Sequence, residues 1–124
     1  YHPSIVRQHH PQPNFLSRLK GRKADWTAET LKKIEALGKK ATTLSAEFYY
    51  ETCQILDIST DDLSKVFPSS GLLAIRYAIE TLRTDSTRIE FCGFSWQGWK
   101  RHSWGNEQHW VDEQIQEGRI SPLG

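Results

Sequence analysis

The feature that most constrains the fold is an apolar helix that follows a tight turn at residues 67–71, Phe-Pro-Ser-Ser-Gly. Pro68 restricts the residue before it to an extended conformation, and the helix is predicted to begin at Ser70. Its apolar residues recur at helical spacing and share one face: Leu72, Ile75, Ile79 and Leu82. Because few polar residues interrupt this helix, we expect it to be packed on two sides.

A strand and a final helix are predicted after this helix. Residues 88–94 alternate in the manner of a strand, and a further strand is expected to start at Arg119-Ile120. The last helix is predicted from Gly105 to Glu117, with Gly118 ending it. Turn, helix and strand in this order form half of an α/β unit, whose ligands collect at the carboxyl end of the strand. The predicted fold class is α/β, with helices packed on a short, mostly parallel sheet.

The amino-terminal part is predicted to contain less regular structure. Residues 1–22 hold three prolines and are expected to be irregular. A helix is predicted from Thr27, as N-cap, to Leu37, and a second from the cap Ser45 to Leu56. Between these helices, residues 41–44 are predicted to form a short strand.

Charge is distributed unevenly along the 124 residues. Residues 1–40 carry nine Lys and Arg against three Asp and Glu, whereas residues 41–124 carry seven against twelve. The length allows one domain at most, divided here into a basic segment (1–40) and the remainder (41–124). The chain contains no Met, so we expect it to be a piece of a longer protein. No apolar run approaches the roughly 20 residues of a membrane-spanning helix, and no membrane segment is predicted.

Cysteine and histidine usage gives little sign of a metal site or a disulfide framework. Cys53 and Cys92 are expected to be buried, inert thiols, because they lack the spacing of metal ligands. The pair His9-His10 is expected to face solvent or an acceptor rather than a metal, since no third ligand lies nearby.

Two short motifs carry the predicted chemistry. Ser69 and Ser70 present hydroxyl and N–H groups at a helix start, where phosphate or carboxylate groups bind, and Gly71 allows a ligand close approach. The same serines fit an ordinary N-cap. His102 is followed five positions later by Glu107. An imidazole titrates near neutral pH and suits a general base, with Glu107 either orienting it or capping the last helix.

These two motifs resemble the small and very small sialylmotifs of family 29 sialyltransferases. The small motif is similar to residues 68–74, Pro-Ser-Ser-Gly-Leu-Leu-Ala, with the helix and strand that follow, and the very small motif to residues 102–107, His-Ser-Trp-Gly-Asn-Glu. The resemblance covers about residues 41–123, and the order and spacing of the two motifs make it specific. It implies the carboxyl-terminal half of a Rossmann-like glycosyltransferase domain.

The chain also departs from that family. Ser86 stands where animal members have a cysteine that pairs in a disulfide, and a missing bridge fits a reducing compartment. A cytoplasmic, bacterial-type protein is therefore favoured, with the Golgi lumen expected if the parent protein is a eukaryotic sialyltransferase. The large sialylmotif, which forms much of the nucleotide site in the family, has no counterpart in this chain.

The resemblance implies an inverting transfer of a nonulosonic acid from a CMP-activated donor to a glycan hydroxyl. Its implied catalytic residues are His102 and Glu107, and its implied donor-binding residues are Ser69, Ser70, Gly71 and Trp96. One of the tryptophans around the proposed base is expected to contact ligand, although such a cluster is also typical of a core. No metal or other cofactor and no nucleic-acid partner are expected.

Two other functions remain open on the sequence. The first is a non-catalytic module that binds an anionic partner through the basic amino-terminal helix. The second is a metal-dependent hydrolase that uses His102, Glu107 and His109, whose spacing matches no known ligand helix.

Overall fold

A computed structural model describes all residues, 1–124. The fold is mostly helical, with six α-helices and one small sheet. The helices are α1 (Pro3–His9), α2 (Phe15–Leu19), α3 (Thr27–Ala36), α4 (Ala46–Ile55), α5 (Ser70–Tyr77) and α6 (Trp104–Gln116). A 3₁₀ turn at Thr60–Asp62 precedes α5, and α5 continues as a π-helical turn over Ala78–Leu82.

The sheet consists of two short parallel strands, β1 (Glu90–Phe91) and β2 (Ser121–Pro122). Glu90 lies opposite Ser121, and the amide of Ser121 donates to the carbonyl of Ile89 at 3.0 Å. Parallel strands flanking α6 were predicted, but the first is shorter than residues 88–94. Gly93, with φ of 80°, turns the chain out of the extended conformation directly after β1.

Several predicted helix ends are confirmed. Ser45 caps α4 by accepting a hydrogen bond from the amide of Phe48, and Gly38 and Gly118 end α3 and α6 with positive φ. The predicted cap at Thr27 is wrong by one residue. Trp26 is the N-cap of α3 and makes no side-chain cap bond, while Asp25 accepts the amide hydrogen of Thr27.

The prediction that residues 1–22 are irregular is wrong, because α1 and α2 lie there. The ring of His2 accepts the amide hydrogen of Ser4, and Pro3 occupies the first helical position, where its missing N–H costs nothing. Ile5 and Val6 on α1 are buried, so tertiary packing holds the helix. The strand predicted at residues 41–44 is also absent, since no partner strand lies beside it.

The core lies where α1, α4, α5 and α6 meet. Its buried apolar members are Ile5, Tyr49, Cys53, Leu56, Ile58, Leu63, Phe67, Leu72, Leu73, Ile75, Val111 and Ile120. No residue from Arg7 to Phe48 is buried, so α2 and α3 lie outside this core. None of the helices combines the length and apolar character needed to cross a membrane.

The two cysteines have different surroundings. Cys53 is buried in α4, and burial raises the pKa of its thiol to about 11. Cys92 follows β1 and is exposed, so its predicted burial is wrong. The strand before it has only two residues, so Cys92 lies outside the sheet.

Candidate functional site

The two motifs lie side by side, joined by four hydrogen bonds that we call the clasp. The amide of Phe67 donates to the carbonyl of Arg101 at 2.7 Å, and the carbonyl of Phe67 contacts Nδ1 of His102 at 2.8 Å. The amide of Ser69 donates to Oε1 of Glu107 at 2.7 Å, and the Ser69 hydroxyl donates to Oε2 at 2.5 Å. Residues separated by more than thirty positions in sequence therefore form one unit.

Ser69 is the centre of the clasp. It is the N-cap of α5, and its hydroxyl oxygen accepts the amide hydrogen of Leu72 at 3.1 Å. The side chain is buried, and both of its hydrogen donors are used by Glu107. Ser69 therefore has no hydrogen to offer a ligand in this arrangement, and its geometry is that of a residue that positions the turn.

Glu107 is fully buried in the first turn of α6. Its two hydrogen bonds go to Ser69, and it makes none to His102. Burial raises the pKa of this carboxyl group, and the bonds from Ser69 and the nearby His102 partly offset the effect. The anion at the start of α5 is thus supplied by the protein itself.

His102 presents one ring nitrogen to solvent. Its Nδ1 faces a carbonyl oxygen, which can only accept, so Nδ1 carries the hydrogen and the neutral ring has its lone pair on Nε2. Nε2 makes no hydrogen bond within the chain and is not buried. The ring lies between Trp99 and Trp104, with centroid distances of 5.2 and 4.8 Å in edge-to-face geometry. The imidazole is therefore fixed in orientation and open at the atom that takes a proton.

Asn106 sets the position of α6 relative to the rest of the site. Its side-chain amide donates to the carbonyl of Leu56, at the end of α4, at 2.7 Å. This bond holds the first turn of α6 against the core and fixes the direction from which Glu107 reaches Ser69.

Ser70 and Gly71 provide the remaining N–H groups of the first turn of α5, and neither amide donates to another group of the chain. Ser70 is exposed and lines a cavity of about 250 Å³ together with Leu73, Ala74 and Tyr77. The group that closely approaches Gly71 is the side chain of Phe94. A Cβ atom there would lie 2.5 Å from Cε1 of Phe94, so glycine is needed to admit the phenylalanine ring.

Trp96 makes no hydrogen bond to the clasp and packs on the aromatic ring of Phe94. The two ring centroids lie 5.3 Å apart, and the backbone of Trp96 has φ of 51°, which is unusual for a bulky residue. Trp99 stacks nearly parallel on Phe67 at 5.8 Å. The structure thus brings Ser69, His102 and Glu107 together, and Phe94 packs against both Gly71 and Trp96.

Two aromatic residues at the amino terminus were missed by sequence reasoning. The hydroxyl of Tyr1 donates to the carbonyl of Pro68 at 2.5 Å, and burial raises its pKa to about 12. The ring of His10 packs on Phe67 at 4.5 Å; its Nε2 is buried without a partner, and burial lowers the pKa of the ring. The sequence analysis considered His10 only together with His9, as a possible metal ligand.

No three His, Cys, Asp or Glu side chains are grouped so that they could hold a metal ion. His9 instead contacts the hydroxyl of Tyr50 at 3.0 Å, and His109 is exposed and pairs with Glu113 at 3.4 Å. A cavity of about 530 Å³ lies between α1, α3 and residues 41–44, and its lining includes Trp26, Asp25 and His10.

Comparison of the chain with protein-family models, curated proteins and solved structures gives no match.

Proposed function

We propose that this chain is the carboxyl-terminal part of a sialyltransferase-like enzyme that moves a nonulosonic acid from a CMP-activated donor to a glycan hydroxyl. The observation that carries the proposal is the clasp. The two motifs that the sequence predicts to form one site are joined by hydrogen bonds. Nε2 of His102, in the second motif, is free.

The reaction assigns His102 a single proton transfer. As the acceptor oxygen bonds to the anomeric carbon, Nε2 of His102 takes the hydroxyl proton, and the bond from that carbon to the CMP phosphate oxygen breaks to release CMP. The bond from Nδ1 to the carbonyl of Phe67 keeps the lone pair on Nε2 before the reaction and stabilises the imidazolium after it. This chemistry requires no metal or redox cofactor.

Donor binding falls to Ser70 and Gly71 in this proposal. Their amides are the two at the start of α5 that make no bond to the chain, and such groups bind phosphate or carboxylate oxygens. Ser69 and Glu107 act indirectly, by holding the turn that presents these amides. Trp96 and its neighbours supply an aromatic face for a base or a sugar.

The fold assigned to the complete enzyme is a Rossmann-like domain in which β1 and β2 belong to a larger parallel sheet. Both strands are two residues long, and α6 connects them as a crossover helix does in such sheets. The rest of the sheet and the other wall of the nucleotide site would come from outside this chain.

The test is CMP binding and CMP release by a protein that contains this chain. Saturation-transfer NMR with CMP measures binding, and CMP release from CMP-sialic acid measures turnover. His102→Ala is expected to lower turnover at least roughly 100-fold, as loss of a general base does, while CMP binding stays nearly intact.

The matched control is His109→Ala, which removes an exposed histidine from α6, the helix that follows His102. It is expected to leave both measurements unchanged. Unaltered turnover in the His102 variant would refute the assigned base, and absence of both CMP binding and CMP release would refute the enzyme class.

A binding module is the second candidate, and the exposure of the basic residues favours it. All nine Lys and Arg side chains in residues 1–40 are exposed. If this function is right, the chain binds nucleic acid or another polyanion with strong salt dependence and does not bind CMP.

A further inference from the structure

Helix α2 is oriented opposite to an ordinary surface helix. Phe15, Leu16 and Leu19 share one face, and their exposed fractions are 73%, 68% and 69%. Ser17, on the opposite side of the helix, is half-buried. A surface helix normally turns its apolar stripe to the core, so this helix presents its apolar face to an outside partner.

The two ends of α2 are defined by hydrogen bonds within residues 13–21. Asn14 caps the helix by accepting the amide hydrogen of Ser17 at 2.8 Å, and Nε of Arg18 donates to the carbonyl of Pro13 at 3.0 Å. At the other end, Gly21 has φ of 77° and its amide donates to the carbonyl of Arg18 at 2.9 Å. The exposed apolar face is therefore a defined surface.

The rim of this face is positively charged. Arg18, Lys20 and Arg22 are exposed, and none of them has a carboxylate within ion-pair distance. No acidic residue occurs in the chain before Asp25. We call residues 15–22 the basic apolar patch, because it combines three large apolar side chains with three unpaired cations.

We propose that the basic apolar patch docks on the surface of an anionic lipid bilayer. The interface of such a bilayer offers an apolar layer for Phe15, Leu16 and Leu19 and negative headgroups for the surrounding cations. Nucleic acid would satisfy the cations but would leave Leu16 and Leu19 in water. The proposal is independent of the catalytic function and concerns a surface outside the clasp.

Co-sedimentation with phosphatidylcholine vesicles, with and without phosphatidylserine, tests the proposal. The chain is expected to bind the vesicles that contain phosphatidylserine, and binding should weaken as salt is added. Leu16→Ser with Leu19→Ser should lower partitioning roughly tenfold or more per leucine, because each loses the burial of an aliphatic side chain. Lys20→Gln with Arg22→Gln should lower it roughly fivefold per cation.

Two matched controls lie on α3 or directly after it. Leu37→Ser removes a leucine that is 72% exposed, and Lys32→Gln with Lys33→Gln removes two exposed cations. Both are expected to leave partitioning nearly unchanged. Equal losses in controls and patch variants would overturn the proposal, as would binding to DNA or polyglutamate in the absence of vesicle binding. Circular dichroism of each variant confirms that it is folded.

Discussion

The clasp and the segment from Arg7 to Phe48 are held in different ways. The clasp is made by bonds between distant positions, such as Ser69 and Glu107, and both of these residues are buried. The amino-terminal segment contains no buried residue, and α2 is held by bonds to its own immediate neighbours. The comparison indicates that the clasp depends on tertiary structure, whereas α2, within the second region, is formed by local bonds.

The largest expected effect comes from removing the buried carboxylate. Glu107→Ala leaves the amide and hydroxyl of Ser69 buried without acceptors and creates a cavity, so the free energy of unfolding should fall by about 3 kcal/mol. Urea denaturation followed by circular dichroism measures this change. The control Glu113→Ala, on the exposed face of the same helix, should change stability by less than about 0.5 kcal/mol. Equal values for the two variants would show that the clasp does not form in solution.

A smaller effect is expected where Phe94 covers Gly71. Gly71→Ala introduces a methyl group 2.5 Å from the ring, and such overpacking should cost about 1 to 2 kcal/mol in the free energy of unfolding. Gly105→Ala, in α6 with no neighbouring atom within 4 Å, should instead be neutral or stabilising by up to about 1 kcal/mol. In a Phe94→Leu background the cost at Gly71 should shrink; a cost unchanged there would contradict the contact.

The pH dependence of stability reports on the same carboxylate. Since the pKa of Glu107 is raised in the folded state, its contribution to stability is fully present below the ordinary glutamate pKa and is lost as pH rises through the raised value. As pH rises from the ordinary glutamate pKa to the raised pKa of the folded state, the free energy of unfolding of the native chain should therefore fall relative to that of Glu107→Gln, which cannot ionise. Urea denaturation of both proteins across this interval measures the difference, and parallel curves would show that the group does not titrate abnormally.

The smallest effect is expected at the basic apolar patch. Phe15→Ser should change the free energy of unfolding by less than about 0.5 kcal/mol, because the ring is mostly exposed in the folded chain. A thermal or urea melt checks this value. A loss comparable to that of a core phenylalanine would mean that α2 packs against the chain in solution, which would remove the distinction between the two regions.

Local signals in the sequence predicted α3, α4, α5 and α6, whereas α1 and α2 were missed. Ser45, Ser69 and Gly118 mark helix ends through their own hydrogen bonds or backbone angles, and these require no knowledge of the tertiary structure. The parallel relation of the strands was also predicted, from a helix placed between two candidate strands. The length of the strands was not predicted, because it depends on the turn at Gly93 and on the fact that only two residues of each strand pair.

The pairing inside the site could not be read from the sequence. The pattern of residues 102–107 indicated a base and a carboxylate, but the partner of Glu107 lies 38 positions earlier. The same holds for Tyr1, whose contact with Pro68 joins positions 67 apart. Helix α2 was missed because the three prolines in residues 1–22 predicted an irregular segment.

The contrast between the two cysteines gives the protein a natural point for site-specific labelling. Cys53 is buried, and its raised pKa keeps it in the unreactive thiol form, whereas Cys92 is open to solvent. A maleimide dye or spin label added to the native chain should therefore attach at Cys92 alone. That position lies two residues before Phe94, so the probe would report on movement beside Gly71 without any engineered cysteine.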